Sequence, residues 1–369
     1  MSTTSEPTRA PADLGEVLAT SSVVISAGSG GVGKTTVAAG VALAAARSGR
    51  RVVVITIDPA RRLSDALGLG AGGLENEPRR IDGPWSGEMW AAMLDTRATF
   101  DSLVTRHAPA GQAEEILANR FYRNIADSLS GTQEYMAAEK LHELHADPRF
   151  DLVVVDTPPT RNALDFIEAP HTLSRFLDHR LYRLLMAPTR RMGRALGVAT
   201  TAFVRTVSKV AGAAVVEDAI GFFRAFEGLE DGFRARAGEV AALLRDGRTS
   251  FVLVTSPRRD AVDEAAWFAA QLDGRGMPVR GLIVNRVQPR PVDGSPDRFR
   301  AIAAEHPGTD LAVLCTVLLE QCEIADAERA QLGDLIERVS PAPVVLVPIL
   351  GSDVHDLGGL EEIADRLTR

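Results

Sequence analysis

The run Gly28-Ser29-Gly30-Gly31-Val32-Gly33-Lys34-Thr35-Thr36 constrains this chain more than any other stretch. Apolar Val23-Val24-Ile25 precedes it and an alanine-rich segment from Val37 to Ala46 follows, so the pattern predicts a strand, a glycine loop and a helix. Glycines at that spacing let successive backbone N–H groups turn inward, and the helix adds its positive N-terminal end. Together they make a cradle for phosphate oxygens. Lys34 is then placed to reach the β- and γ-phosphates as a point charge, and the Thr35 hydroxyl to coordinate Mg²⁺. A chance glycine turn lacks the strand before and the helix after.

Composition sharpens the point. Of 41 basic residues only Lys34, Lys140 and Lys209 are lysine, leaving 38 arginines, and one of the three lysines sits in the loop. Scattered arginines elsewhere therefore carry less information than usual. Net charge −8 and a pI near 5.5 argue against a general nucleic-acid-binding role, which needs a basic face to displace counterions. The Ser-, Thr- and Pro-rich start lacks the apolar centre of a secretory signal, and residues 1–19 are expected to form a disordered lead-in. No transmembrane segment is expected. The nearest approach, Ala195 to Val216, carries Arg205 and Lys209 near its middle. Two cysteines, Cys315 and Cys322, are too few for a disulfide framework and suit a reducing cytoplasm.

Along the chain, Arg51 to Thr56 reads as a buried parallel strand running into Ile57-Asp58-Pro59-Ala60. An acid at the carboxyl end of such a strand sits where open α/β sheets bind ligands, so Asp58 is a candidate to orient or deprotonate an attacking water. Asp58-Pro59 is equally a common helix start, and the two readings are compatible. Glycine and proline punctuate Gly68 to Gly87, which reads as a surface loop. Asp151 to Asp156 is a third buried strand ending in an acid, and it leads into Thr157-Pro158-Pro159-Thr160. There Asp156 is placed to hold Mg²⁺, often through water. Further strands at Phe251–Thr255, Gly281–Asn285 and Val344–Pro348 alternate with helical segments. The fold class expected is α/β: a doubly wound, mainly parallel sheet of the phosphate-loop type with an inserted helical subdomain. The nucleotide domain would take residues 20–95, 149–160 and 246–369, and the helical subdomain 96–148 and 161–245. Within the latter, apolar faces from Leu173 to Leu185 and from Leu196 to Val210 are core or a client groove.

Three motifs in this order resemble a family: the deviant phosphate-loop ATPases related to the bacterial arsenical-pump ATPase ArsA and to the eukaryotic ATPase that guides tail-anchored membrane proteins. They are Gly28 to Thr36, Asp58-Pro59-Ala60 with Leu63-Ser64-Asp65-Ala66, and Asp156-Thr157-Pro158-Pro159-Thr160. The resemblance implies ATP as the nucleotide, Asp58 as the water-activating residue of switch I, Asp156 to Thr160 as switch II, and Asn285 with Pro348 as the residues that hold the adenine. It also implies a dimer. The absence of an Asn-Lys-x-Asp motif fits adenine rather than guanine.

The departures bear on function. Ser29 stands where the family carries a lysine that reaches the partner's nucleotide, and Arg61 and Arg161-Asn162 stand where its switches carry histidine and Gly-His. Arg61 or Arg161 replaces the missing charge, or a lysine-bearing paralogue supplies it in a heteromer, or a homodimer works without it. Leu319-Glu320-Gln321-Cys322 offers one thiol where the targeting ATPases offer a C-x-x-C pair, so no structural zinc is expected. The leading expectation is a cytoplasmic Mg²⁺-dependent ATPase that switches a dimer and binds an unidentified protein client through its helical subdomain. Two others stand beside it: a nucleotide-sensing regulatory subunit with weak hydrolysis, and a metalloid-efflux ATPase subunit.

Overall fold

The computed structural model describes residues 13–58, 60–70, 73–108, 111–119, 122, 132–160, 163–170, 230–292 and 295–368. The chain divides into two compact units, one of Met1–Met93, Asp147–Ala163 and Gly247–Arg369, the other of Leu94–Ala146 and Leu164–Asp246.

The first unit is built on an eight-stranded sheet. In chain order its strands are β1 (Val23–Gly28), β2 (Arg51–Thr56), β3 (Arg79–Ile81), β4 (Glu88–Met93), β5 (Leu152–Asp156), β6 (Thr249–Thr255), β7 (Val279–Val287) and β8 (Val344–Pro348). Their spatial order is β3-β4-β2-β5-β1-β6-β7-β8, parallel throughout except where β3 runs against β4. Every residue of β1, β5 and β6 is buried, as strands covered by helices on both faces must be, and their Val, Ile and Leu content follows from that. The expected doubly wound α/β sheet is the fold observed.

The helix after the loop, Lys34–Arg47, is buried along most of its length. Its alanines leave room for close packing, and Leu360, Ile363, Ala364 and Leu367 of the helix Leu357–Leu367 share its core. At the opposite, N-terminal edge of the strands, Arg51 grips Asp151 with two side-chain bonds of 3.1 and 2.7 Å, and Arg50 NH1 donates to the Ser21 carbonyl at 2.7 Å. These contacts fix the register of β1, β2 and β5, and so the height at which their carboxyl ends emerge.

Two sequence expectations need correction. Residues 14–19, expected within the disordered lead-in, belong to a helix, Leu14–Thr20, which Asp13 caps by accepting the Glu16 N–H at 2.8 Å. Leu14, Val17 and Leu18 of that helix join the sheet's core, which is what orders so short an element. Residues 79–81, expected within a surface loop, form β3, and β4 follows directly as a parallel neighbour of β2.

The second unit is helical among its described residues, with helices Thr96–His107, Gln112–Ala118, Thr132–Ala146 and Glu230–Leu244. Phe100, Leu103, Val104, Ile116, Tyr122 and Met136 belong to one apolar cluster. Beside it Glu139, 1% exposed, accepts a 2.7 Å bond from Arg236 Nε and another from the Tyr135 hydroxyl. A carboxylate this deep needs such donors. The apolar faces from Leu173 to Leu185 and Leu196 to Val210 lie outside the described residues.

Gly28 ends β1 under tight constraint: a Cβ there would stand 2.0 Å from the Val254 carbonyl oxygen of β6. Gly28→Ala should therefore destabilise the fold by about 1–3 kcal/mol, the range for overpacked interiors. Urea unfolding measures it, and wild-type stability would mean that β1 and β6 spread apart at no cost.

Candidate nucleotide site

Strand β1 lies between β5 and β6, and its carboxyl end opens into the phosphate loop at a point where neighbouring strands lead away in opposite directions. Gly31 (φ 79°) and Gly33 (φ 89°) adopt left-handed backbone, which glycine alone takes without strain. Gly33 is also the N-cap of the helix Lys34–Arg47. Gly30 and Gly31 face solvent, whereas Ser29, Val32 and Lys34 are buried. Thr35 and Thr36, in the first turn of the helix, are half-buried.

Lys34 curls back so that Nζ donates to the Ser29 carbonyl at 2.9 Å. Burial pushes its pKa below the ordinary lysine value; Asp156, Glu264 and Asp58 pull it up, while Arg62 pushes it down further. Asp156, at the end of β5, is 1% exposed. Its Oδ2 accepts the Thr56 hydroxyl at 2.8 Å. Burial raises its pKa to about 6, against the opposing pull of Thr35, Thr56 and Lys34. The Thr35 hydroxyl is near enough to favour the charged form without closing a full bond, since Asp156 Oδ1 is buried with no hydrogen-bond partner. Ser29 Oγ is buried and unpartnered in the same way. An acceptor-only oxygen left bare beside a threonine hydroxyl fits a hard cation, and inward-turned loop amides fit phosphate.

Residues 21–305 match the model of the anion-transporting ATPase family, ArsA_ATPase. The chain belongs to this family. It is accordingly an ATPase that binds nucleotide. Similar proteins include the ATPase ASNA1 homolog of Babesia bovis, 32% identical over 154 residues, which are 41% of this chain and 39% of that protein. Protein Rv2184c of Mycobacterium tuberculosis is 27% identical over 352 residues, 92% of this chain and 74% of its own. The ATPase get3 of Neurospora crassa is 25% identical over 350 residues, 93% and 89% of the two chains. The match to the Babesia protein thus spans well under half of that protein's length.

In this family member Asp58 does not cap the helix that follows. That helix, Arg62–Ala66, starts four residues later with Arg61 as its N-cap. Asp58 Oδ1 instead accepts the Ala60 N–H at 2.9 Å, closing a turn, and Oδ2 lies 3.2 Å from Arg62 NH1. The side chain is partly open to solvent and acts electrostatically on both Lys34 and Asp156. Thr157 is strapped to β1 by its hydroxyl, which donates to the Ser26 carbonyl at 2.8 Å. Thr160 donates to Glu264 on the helix Arg259–Asp273. Asn285 and Pro348 lie near the carboxyl ends of adjacent strands, β7 and β8. The Asn285 amide, however, is turned to the phosphate loop, with Nδ2 donating to the Val32 carbonyl at 2.8 Å.

Sequence reasoning missed three charged neighbours of the loop. Arg62 acts electrostatically on Lys34, and its neighbour Arg61 is an exposed helix cap. Glu264 and Arg286 share a cavity of about 230 Å³ with Ser29, Gly31 and Arg258. Arg161 and Asn162 lie outside the described residues. Among the described residues no group of three or more His, Cys, Asp or Glu side chains is placed to hold a metal, and Cys315 and Cys322 are buried within one helix.

The raised pKa of Asp156 has a stability consequence. The folded chain holds this proton up to about pH 6 and the unfolded chain only to the ordinary value of 3.8. The stability contributed is therefore fully present below that value and lost as pH rises through 6. Asp156→Asn removes the loss, so the nucleotide-free variant should be more stable than wild type near neutral pH by roughly 3 kcal/mol, with no such gain below about pH 4. Hydrolysis should fail in the same variant. Melting curves at the two pH values check it; a less stable variant at neutral pH would reverse the sign.

Proposed function

We propose that this ATPase binds ATP with Mg²⁺ in the loop Gly28–Thr36 and uses binding and hydrolysis to switch the conformation of a dimer. The observation that carries the reading is the buried, unpartnered Oδ1 of Asp156 beside Lys34 and Thr35. Thr35 and Asp156 would hold the cation, directly or through water. Bound there, it supplies positive charge to the phosphate oxygens. The amides of Gly30, Gly31 and Gly33 cradle the phosphates, and Lys34 exchanges the Ser29 carbonyl for them. Asp58, partly solvated and 3.2 Å from Arg62, orients the attacking water and accepts its proton. Asn285 and Pro348 bound the space for the base.

The unit of Leu94–Ala146 and Leu164–Asp246 is the proposed output. It would bind a protein client in a nucleotide-dependent way. Among the described residues no helix is long and apolar enough to cross a membrane, which is compatible with a cytoplasmic setting. Assembly is with a second copy of the chain or with a paralogue that carries lysine at the position of Ser29.

Lys34→Ala should abolish nucleotide binding, since it removes the charge nearest the phosphates and leaves the loop's glycines intact. Asp58→Asn should keep ATP affinity and slow turnover by about 10²–10⁴-fold. Calorimetry and steady-state ATPase assays separate the two effects; unchanged hydrolysis in Asp58→Asn would assign that residue to the turn alone. Running the assay on the chain alone and mixed with a lysine-bearing paralogue decides between the two assemblies.

A further inference from the structure

Arg286 is the one non-glycine among the described residues with a left-handed backbone, at φ 60°. It sits where the ladder between β7 and β8 breaks register. Val284 pairs with Leu346 and Val287 with Pro348, so three steps along β7 match two along β8. This is a bulge with an arginine at a backbone position that glycine fills best. Strain of this kind persists where the side chain is needed.

The bulge has a geometric result. In a regular strand consecutive side chains point to opposite faces. Here Asn285 and Arg286 both reach the phosphate loop. Asn285 Nδ2 donates to the Val32 carbonyl at 2.8 Å, and Arg286 NH1 donates to the Gly31 carbonyl at 2.9 Å. Two successive carbonyls of the loop are thus held from the β7 side. Asn285 fits only because Gly33 has no side chain, since a Cβ there would stand 2.4 Å from Nδ2. The Asn285 Oδ1 in turn accepts the Arg286 N–H at 3.0 Å, which ties the two prongs together. In a phosphate loop the carbonyls must face outward if the N–H groups are to face the ligand. A donor on each of two adjacent carbonyls enforces that.

We propose that Arg286, with Asn285, is a positioning residue that clamps the phosphate loop in its binding-ready form from strand β7. The proposal rests on the nucleotide reading above. It concerns the part of the ligand that every nucleoside di- or triphosphate shares, and it does not place the guanidinium on the terminal phosphate.

Arg286→Gly is the deciding variant, because glycine accepts φ 60° without strain and only the clamp is lost. Its melting temperature should be no lower than that of wild type. Titration calorimetry of the full chain with Mg²⁺ should show affinity for ATP and for ADP falling by the same factor, about tenfold, as expected for losing a bond from a charged donor. AMP binding should not change. In turnover, KM should rise about tenfold with kcat within about twofold of wild type, because the clamp serves ground state and transition state alike. Arg286→Lys, which keeps a cationic donor, should recover most of the affinity.

Unchanged ATP affinity in Arg286→Gly would overturn the proposal, as would a loss confined to ATP, which would put the guanidinium on the terminal phosphate. A fall in affinity that only tracks a fall in melting temperature would make Arg286 structural and overturn it too. A wild-type chain that binds no nucleotide at all would overturn the nucleotide reading itself, so the two failures are told apart by the first titration.

Discussion

A buried carboxylate beside a buried ammonium, at the end of a parallel sheet, sets the terms for the rest of this structure. Asp156 and Lys34 are both withdrawn from water, and each is pushed by burial toward its neutral form. Neither is satisfied by the other: Lys34 rests on the Ser29 carbonyl, and Asp156 leaves one oxygen bare. A fold that kept this arrangement only for stability would replace it with apolar residues. The surrounding elements hold it open. Thr56 reaches in from β2, Thr157 straps the segment after β5 to β1, and the helix Arg259–Asp273 brings Glu264 to the same end.

The same site shows how local strain and global packing share one task. The glycines of the loop make it pliable, since left-handed backbone at Gly31 and Gly33 is free to relax when nothing holds it. Rigidity must then come from outside the loop. It comes from β1, held at the far edge of the sheet by Arg50 on the Ser21 carbonyl, from its neighbour β5, tied to β2 by Arg51 and Asp151, and from the bulge of β7 on the near side. The loop is a soft element between two stiff ones.

Much of this was legible in the sequence because it is contiguous there. Gly28 to Thr36 and the apolar run ending at Asp156 each declare themselves within nine residues, and the alternation of strands and helices gives the doubly wound sheet. What was missed lacks a local signature. Strand β4, Glu88-Met89-Trp90-Ala91-Ala92-Met93, has neither alternation nor β-branched residues and owes its conformation to pairing with β2. The helix Leu14–Thr20 follows a polar, proline-bearing stretch and is held by the core it joins as well as by its Asp13 cap. Arg286 meets the loop across 255 residues of chain, and Glu264 meets Thr160 across 104. In a chain with 38 arginines nothing but the folded sheet distinguishes Arg286 from the rest.

The order of the strands also bears on how the chain is made. Strand β1 is made well before both of its partners: β5 begins more than a hundred residues later, and β6 ends at Thr255. A ribosome adding about 5–20 residues per second separates β1 from the completion of β6 by roughly ten seconds to three-quarters of a minute. Until β5 is made, β1 (Val23-Val24-Ile25-Ser26-Ala27-Gly28) is a nascent, uncharged segment with neither flanking strand, and until β6 is complete it lacks the second. Long-range parallel pairing is slow to form for the same entropic reason. The chain therefore passes through a period in which β1 has no neighbour on either side, and the exposure of its apolar residues is set by that interval rather than by the stability of the finished fold.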